Sequence, residues 1–218
     1  MSAIQKFFDV YMALSWVLVY MLVLIGTIKY KYPIYPPLAQ LVIAPLEFSV
    51  LFFRIHHGIY GIDYVSIAYT FWPIMQLILF SIAVKNEYIK KTHAPLFFAL
   101  LVLLSVLMVY LVAYKNHVLL CNYVNTFTGE VIWLLHFSRK DYPTNRLVLA
   151  ISIIKLIADG ILLFVYLGSG SWICDTLCVL LPVVDLMFIT VYFDKRSNLI
   201  RHTPPKHTRK TKKIRNRI

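Results

Sequence analysis

Along the chain, runs of about twenty apolar residues alternate with short polar breaks, the length that crosses a bilayer core of roughly 30 Å as an α-helix. Seven such runs lie near residues 8–28, 34–53, 63–84, 94–114, 119–137, 147–167 and 171–193. The fifth is the weakest, because Asn122, Asn125, Thr126, Thr128 and Glu130 interrupt it. Pro33, Pro36 and Pro37 mark the start of the second helix, where proline is tolerated. Pro45, Pro73 and Pro182 fall inside helices, where each frees a carbonyl for interior groups. The first run is too long for a signal-peptide core and lacks a small-residue cleavage motif, so it is expected to remain as a span.

Charge decides the count and the orientation. With seven spans, the loops near 29–33, 85–93 and 138–146 share one side with the C-terminal tail, and that side collects eighteen of the 22 Lys and Arg residues. Lys6, Arg54 and Lys115 lie on the other side, and Lys155 lies within the sixth span. Dropping the fifth span would scatter these basic loops over both faces, against the positive-inside tendency. The expectation is therefore an all-α, polytopic membrane protein: a seven-transmembrane-helix bundle over 1–193, N-terminus out and C-terminus cytosolic. A basic cytosolic tail over 194–218 is expected to be disordered.

Composition agrees. Apolar residues make up 60% of the 218, charged ones 15%, and mean hydropathy is +0.71, so lipid is the expected solvent. The net charge of +12 would suggest nucleic acid in a soluble protein, but ten basic residues follow Phe193. Topology and anionic lipid headgroups account for that tail without a nucleic-acid partner. Cys121, Cys174 and Cys178 lie in apolar runs and are expected as small buried residues. The host membrane, plasma membrane or endoplasmic reticulum, and the oligomeric state are not encoded in the pattern.

Ionisable residues inside the spans carry the candidate chemistry, because each is costly in hydrocarbon. Asp159 follows Lys155 by four residues, so an i,i+4 pair is expected to neutralise both. Asp175 suits a cap or an interfacial position, and Asp63 a helix start at the membrane surface. Glu130 shares a helical face with Asn122, Asn125, Thr126, Gly129 and Trp133, a stripe fit for interhelical bonding or for a chamber wall. Glu47 and Asp185 have no basic residue within a turn of their own helices and lie about 3 to 5 Å from the helix midpoints. A carboxyl so placed favours its neutral form and can act as a Brønsted acid on a weak base such as an alkene or an epoxide. Tyr69, Trp72, Tyr123 and Trp133 lie at similar depths, where they either pack or stabilise a carbocation through their π faces.

This layout resembles the small seven-helix transmembrane terpene cyclases of fungal meroterpenoid and indole-diterpene pathways. The stretches that carry the resemblance are Pro37-Leu38-Ala39-Gln40-Leu41-Val42-Ile43-Ala44-Pro45-Leu46-Glu47-Phe48 and Leu181-Pro182-Val183-Val184-Asp185-Leu186-Met187-Phe188-Ile189, with a weaker match from the fifth helix to Leu147. Leu46 stands where the family typically has Trp. The resemblance implies a cofactor-independent isomerase that protonates a prenyl or epoxyprenyl lipid and launches its cyclisation. Glu47 and Asp185 are the implied acids. Tyr69, Trp72, Tyr123, Asn125, Glu130 and Trp133 are the expected substrate-facing residues.

Other membrane chemistries fit less well. The seventh span has no lysine for a retinal Schiff base, and no Asp-rich motif exists to hold a magnesium pyrophosphate. The seven histidines are scattered except for His56-His57, expected at the interface beside Arg54 rather than on a metal. A small transporter or a lipid- or partner-binding membrane protein remains the alternative, since intramembrane carboxylates serve proton coupling equally well.

Overall fold

The computed structural model describes residues 3–57, 64–115, 117–139, 142–168 and 171–202. The described residues form seven α-helices and contain no strand. They are α1 (Ala3–Tyr30), α2 (Pro37–His56), α3 (Tyr64–Lys85), α4 (Ala94–Val109), α5 (Val118–Ser138), α6 (Arg146–Tyr166) and α7 (Trp172–His202). Each expected span falls in one of these helices. Five helices are long and apolar enough to cross a membrane; α3 offers a shorter apolar stretch, Thr70–Lys85, and α5 carries the polar stripe. Helix α7 runs beyond the expected span end at 193 to His202, so the proximal tail is helical. Asp63 and residues 203–218 lie outside the described residues.

Neighbour packing runs from α1 to α3, α2, α5, α7 and α6, then back to α1, so six helices close a ring. Helix α4 lies outside that ring against α2, and its last turn widens into a π-helical segment, Tyr110–Tyr114, that reaches both α2 and α5. The sequence of α4 explains its place. It is apolar almost all round: its one polar side chain, Ser105, turns back to the Leu101 carbonyl at 2.7 Å, and Leu96, Leu103 and Val106 are exposed. The ring is polar inside and apolar outside: Gln40, Glu47, Gln76, Glu130, Lys155, Asp159 and Asp185 are buried, while Leu135, Phe164 and Trp172 face outward. Water would not tolerate that exterior, and lipid would.

Small residues and end contacts set the helix spacing. A Cβ at Gly129 of α5 would lie 2.5 Å from Cδ1 and 2.6 Å from Cγ1 of Ile43 on α2. Gly26 of α1 is similarly tight against Leu147 and Ile34. Asn145 caps α6 by accepting the Val148 amide at 3.0 Å. The ammonium of Lys195 on α7 donates to the carbonyls of Phe137, Arg139 and Tyr142 at 2.9, 2.6 and 2.9 Å, satisfying carbonyls left over where α5 ends. Tyr142 in the α5–α6 connection donates to the Ile34 carbonyl at 2.7 Å. Burial pushes its hydroxyl well above the ordinary tyrosine range, which keeps it a donor.

Gly129→Ala should destabilise the ring. Overpacking of this kind costs about 1–3 kcal/mol, partly offset by the ~1 kcal/mol helix preference of alanine over glycine. A thermal-unfolding series in detergent should show the loss, with recovery when Ile43→Ala is added. Equal midpoints for wild type and Gly129→Ala would refute the close approach.

Candidate functional site

Lys155 enters the ring from α6, and the neighbouring helices supply its partners. Its ammonium lies 2.8 Å from Asp185 Oδ1 on α7 and 2.9 Å from Glu130 Oε1 on α5. Three rings surround the same group, with centroids at 5.0 Å for Trp133, 5.3 Å for Phe188 and 5.9 Å for Trp16. A bare ammonium would be costly to bury, and paired carboxylates with aromatic faces offset that cost. Asp159 stands one turn further along α6, and oxygens of Glu130, Asp159 and Asp185 all fall within 4.8 Å of one another. Such a trio suits a cation, and the Lys155 ammonium is the cation the fold places against two of its members. These four residues are each 1% exposed or less.

Glu47 is held separately. Tyr20 of α1 donates its hydroxyl to Glu47 Oε1, and Gln76 of α3 donates to the Tyr20 oxygen at 2.5 Å. The second carboxyl oxygen, Oε2, has no hydrogen-bond partner. Three helices thus fix one carboxyl while leaving one of its oxygens available.

Between these groups lies a cavity of about 70 Å³ to which all six ring helices contribute and α4 does not. Trp16, Tyr20, Glu47, Trp72, Tyr123 and Asp159 are among its walls, with Met12, Ile43, Leu46, Val50, Leu162 and Leu181 completing an apolar surface. The space is small beside the roughly 300–1,000 Å³ of small-molecule pockets, so a lipid chain would enter only if helices part. A gap of about 10 Å³, lined by Tyr20, Tyr35, Glu130, Trp133 and Lys155 among others, separates the Tyr20 hydroxyl network from the Lys155 cluster. That is about the room of one water.

The structure rearranges several expectations. Glu47 does line the central cavity, as do Trp72 and Tyr123. Asp185 does not, and it is not free of a cation: Lys155 reaches it from the adjacent helix, a partner invisible when each helix is read alone. Nor does Lys155 turn to Asp159, its i,i+4 neighbour; its ammonium goes to α5 and α7, and Asp159 faces the cavity. Glu130 belongs to the ion cluster, and Trp133 lies over the ammonium and edge-on to Tyr35, with ring centroids 5.2 Å apart. Asn125 donates to Met108 Sδ at 3.3 Å, and from the same stripe Asn122 and Thr126 line the cavity instead. The Tyr69 side chain lies outside the described residues, although its backbone is part of α3. Asp175 accepts the Gly168 amide at 2.9 Å, which makes it a cap. His56 stacks on Phe52 and His57 packs on Phe53.

Tyr20, Gln76 and Trp16 were not expected at the site. A glutamine inside an apolar span was the available signal for Gln76; Tyr20 and Trp16 sit in an aromatic-rich helix and carry none. No protein-family model, no curated protein and no solved structure matches this chain.

Lys155→Met should cost about 3–5 kcal/mol, because it strands buried carboxylates without their cation. Since protons can replace that cation, the variant should regain stability as the pH is lowered from neutral, and adding Asp185→Asn should recover part of the loss. Thermal unfolding against pH in detergent measures this; a variant as stable as wild type at neutral pH would show the cluster to be held by packing alone. Tyr20→Phe should lose about 1–3 kcal/mol by leaving buried Glu47 and Gln76 unsatisfied, read in the same assay.

Proposed function

We propose that this protein is a membrane-embedded, cofactor-independent isomerase that cyclises a prenyl or epoxyprenyl lipid by proton transfer from a carboxylic acid. All seven helices cross the bilayer in this reading, with the N-terminus outside the cytosol. The distribution of Lys and Arg among the loops supports that orientation. The basic tail then rests on anionic headgroups of the inner leaflet.

One observation carries the chemistry: a carboxyl, Glu47, with an oxygen available on the wall of a cavity that is largely apolar and aromatic apart from Asp159, Asn122 and Thr126. A water-poor chamber removes water as a competing base and protects a carbocation from capture. The carboxyl O–H bond breaks as its proton bonds to an epoxide oxygen or an alkene carbon. Epoxide opening leaves the C–O electron pair on oxygen and a cation on carbon. Successive alkenes attack that cation, Trp16, Trp72 and Tyr123 offer π faces to it, and a final C–H proton passes to a carboxylate. Protons balance, so the product is an isomer of the substrate. Glu47 is one member of the donor–acceptor pair, and Asp185 contributes through Lys155. The resemblance in the second and seventh helices supports the same chemistry.

A second reading, a proton-coupled carrier, draws on the three buried carboxylates around Lys155. The two differ in what is released. Membranes containing the protein, given a panel of linear prenyl and epoxyprenyl compounds, should yield a cyclic product of unchanged mass by mass spectrometry and NMR. Glu47→Gln should reduce its rate by about 10²–10⁴-fold. Proton flux across liposomes with no cyclised product from any compound would favour the carrier.

A further inference from the structure

We infer that Asp159 is the proton donor of the cavity, the acid that starts the reaction, and that Glu47 is the group that receives the last proton. This rests on the cyclase reading and assigns the two roles that reading leaves open. Of the four charged residues of the Lys155 cluster, Asp159 alone also lines the central cavity.

Charge counting places a proton in the cluster. Glu130, Asp159 and Asp185 bring three carboxyls against one ammonium, all buried. Fully ionised, the group would carry two uncompensated negative charges inside the ring, which a low-dielectric interior does not support. The Lys155 ammonium lies against Asp185 and Glu130. On Asp159, neither oxygen has a hydrogen-bond partner, nor does Asp185 Oδ2 nearby. Two carboxylates cannot bond each other, but a carboxylic acid can donate to a carboxylate. A proton on Asp159 therefore removes one of the two uncompensated charges and supplies a hydrogen bond to a neighbouring carboxylate.

The groups around Asp159 agree. Lys155 shares its helix, α5 brings Glu130, and α7 brings Asp185 and the buried thiol of Cys178. Across the cavity stand Glu47 and Tyr20, and the Tyr20 hydroxyl is given to Glu47. A hydrogen bond donated to a carboxylate steadies its charged form, so Glu47 can wait as the base; carboxyls crowded together without donors retain a proton among them, so Asp159 has one to give. In the step proposed, the Asp159 O–H bond breaks as a bond forms to the epoxide oxygen or alkene carbon. At the end, Glu47 takes the C–H proton and the new alkene keeps the electron pair. One proton then returns from Glu47 to Asp159 between turnovers.

The test uses the full-length protein in lipid nanodiscs at neutral pH, read first without substrate. Infrared spectra should contain a protonated-carboxyl stretch that disappears in Asp159→Asn, persists in Glu47→Gln, and returns at a shifted position in Asp159→Glu. The glutamate variant also keeps the test open should the asparagine variant fold poorly. With a prenyl compound that the wild type cyclises, Asp159→Asn should lose at least about a hundredfold in rate. A band that survives Asp159→Asn, or wild-type cyclisation by that variant, overturns the inference and leaves the cyclase reading intact. If the wild type cyclises nothing, the cyclase reading falls and the assigned role falls with it. The infrared band then decides separately whether Asp159 holds the cluster's proton.

Discussion

A lysine ammonium buried in the middle of the bundle is the constraint on which the rest of the ring depends. Lys155 needs negative charge within bonding distance, and the two helices beside its own supply that charge, Glu130 from α5 and Asp185 from α7. Because a buried ion pair is strongly destabilised by the loss of one partner, it specifies which helices adjoin far more sharply than apolar contact does. In lipid this matters doubly. Hydrocarbon on a helix is as well solvated by acyl chains as by another helix, so apolar surface alone selects no neighbour. Helix α4 illustrates the contrast: with no polar side chain directed inward, it packs outside the ring.

Two polar systems result, and they differ in kind. Around Lys155 the carboxyls outnumber the cation, so protons belong to the arrangement as much as side chains do. Around Glu47 there is no cation, and neutral donors from α1 and α3 position a single carboxyl. The cavity lies where the two systems meet, and a water-sized gap beside Tyr20 separates them elsewhere. That arrangement places two carboxyls of unlike surroundings on one cavity, which is what directional proton transfer requires. The same division gives the carrier reading its footing, since a site that stores protons serves either chemistry.

Much of the fold was legible along the chain, and the reasons are physical. A bilayer imposes a length on every apolar run, and the polar breaks therefore fell where helices end. Pro37 opens α2 as its missing N–H allows, and Pro45, Pro73 and Pro182 lie within helices as expected. The site was legible in part. Intramembrane carboxyls announce themselves by their cost, so Glu47, Glu130, Asp159 and Asp185 could all be singled out in the sequence. What each would do could not. Asp185 looked free of cations because its cation sits thirty residues away on another helix. Asp159 looked paired because local spacing offers Lys155, which a long flexible side chain then carries elsewhere.

The sequence by itself determined the all-helical class, the place of each helix and the short set of ionisable groups confined within them. These follow from hydropathy, proline geometry and the cost of charge in hydrocarbon, all of which act locally or along one helix. The tertiary structure alone decided that six helices close a ring with α4 outside and that Lys155 joins Glu130 to Asp185. It also decided that Asp159 shares a cavity with Glu47, and that Tyr20 and Gln76 hold the latter in place. Such facts depend on the rotation of each helix about its axis and on which helix lies beside it. Both are set by packing and ion pairing between segments far apart in the chain.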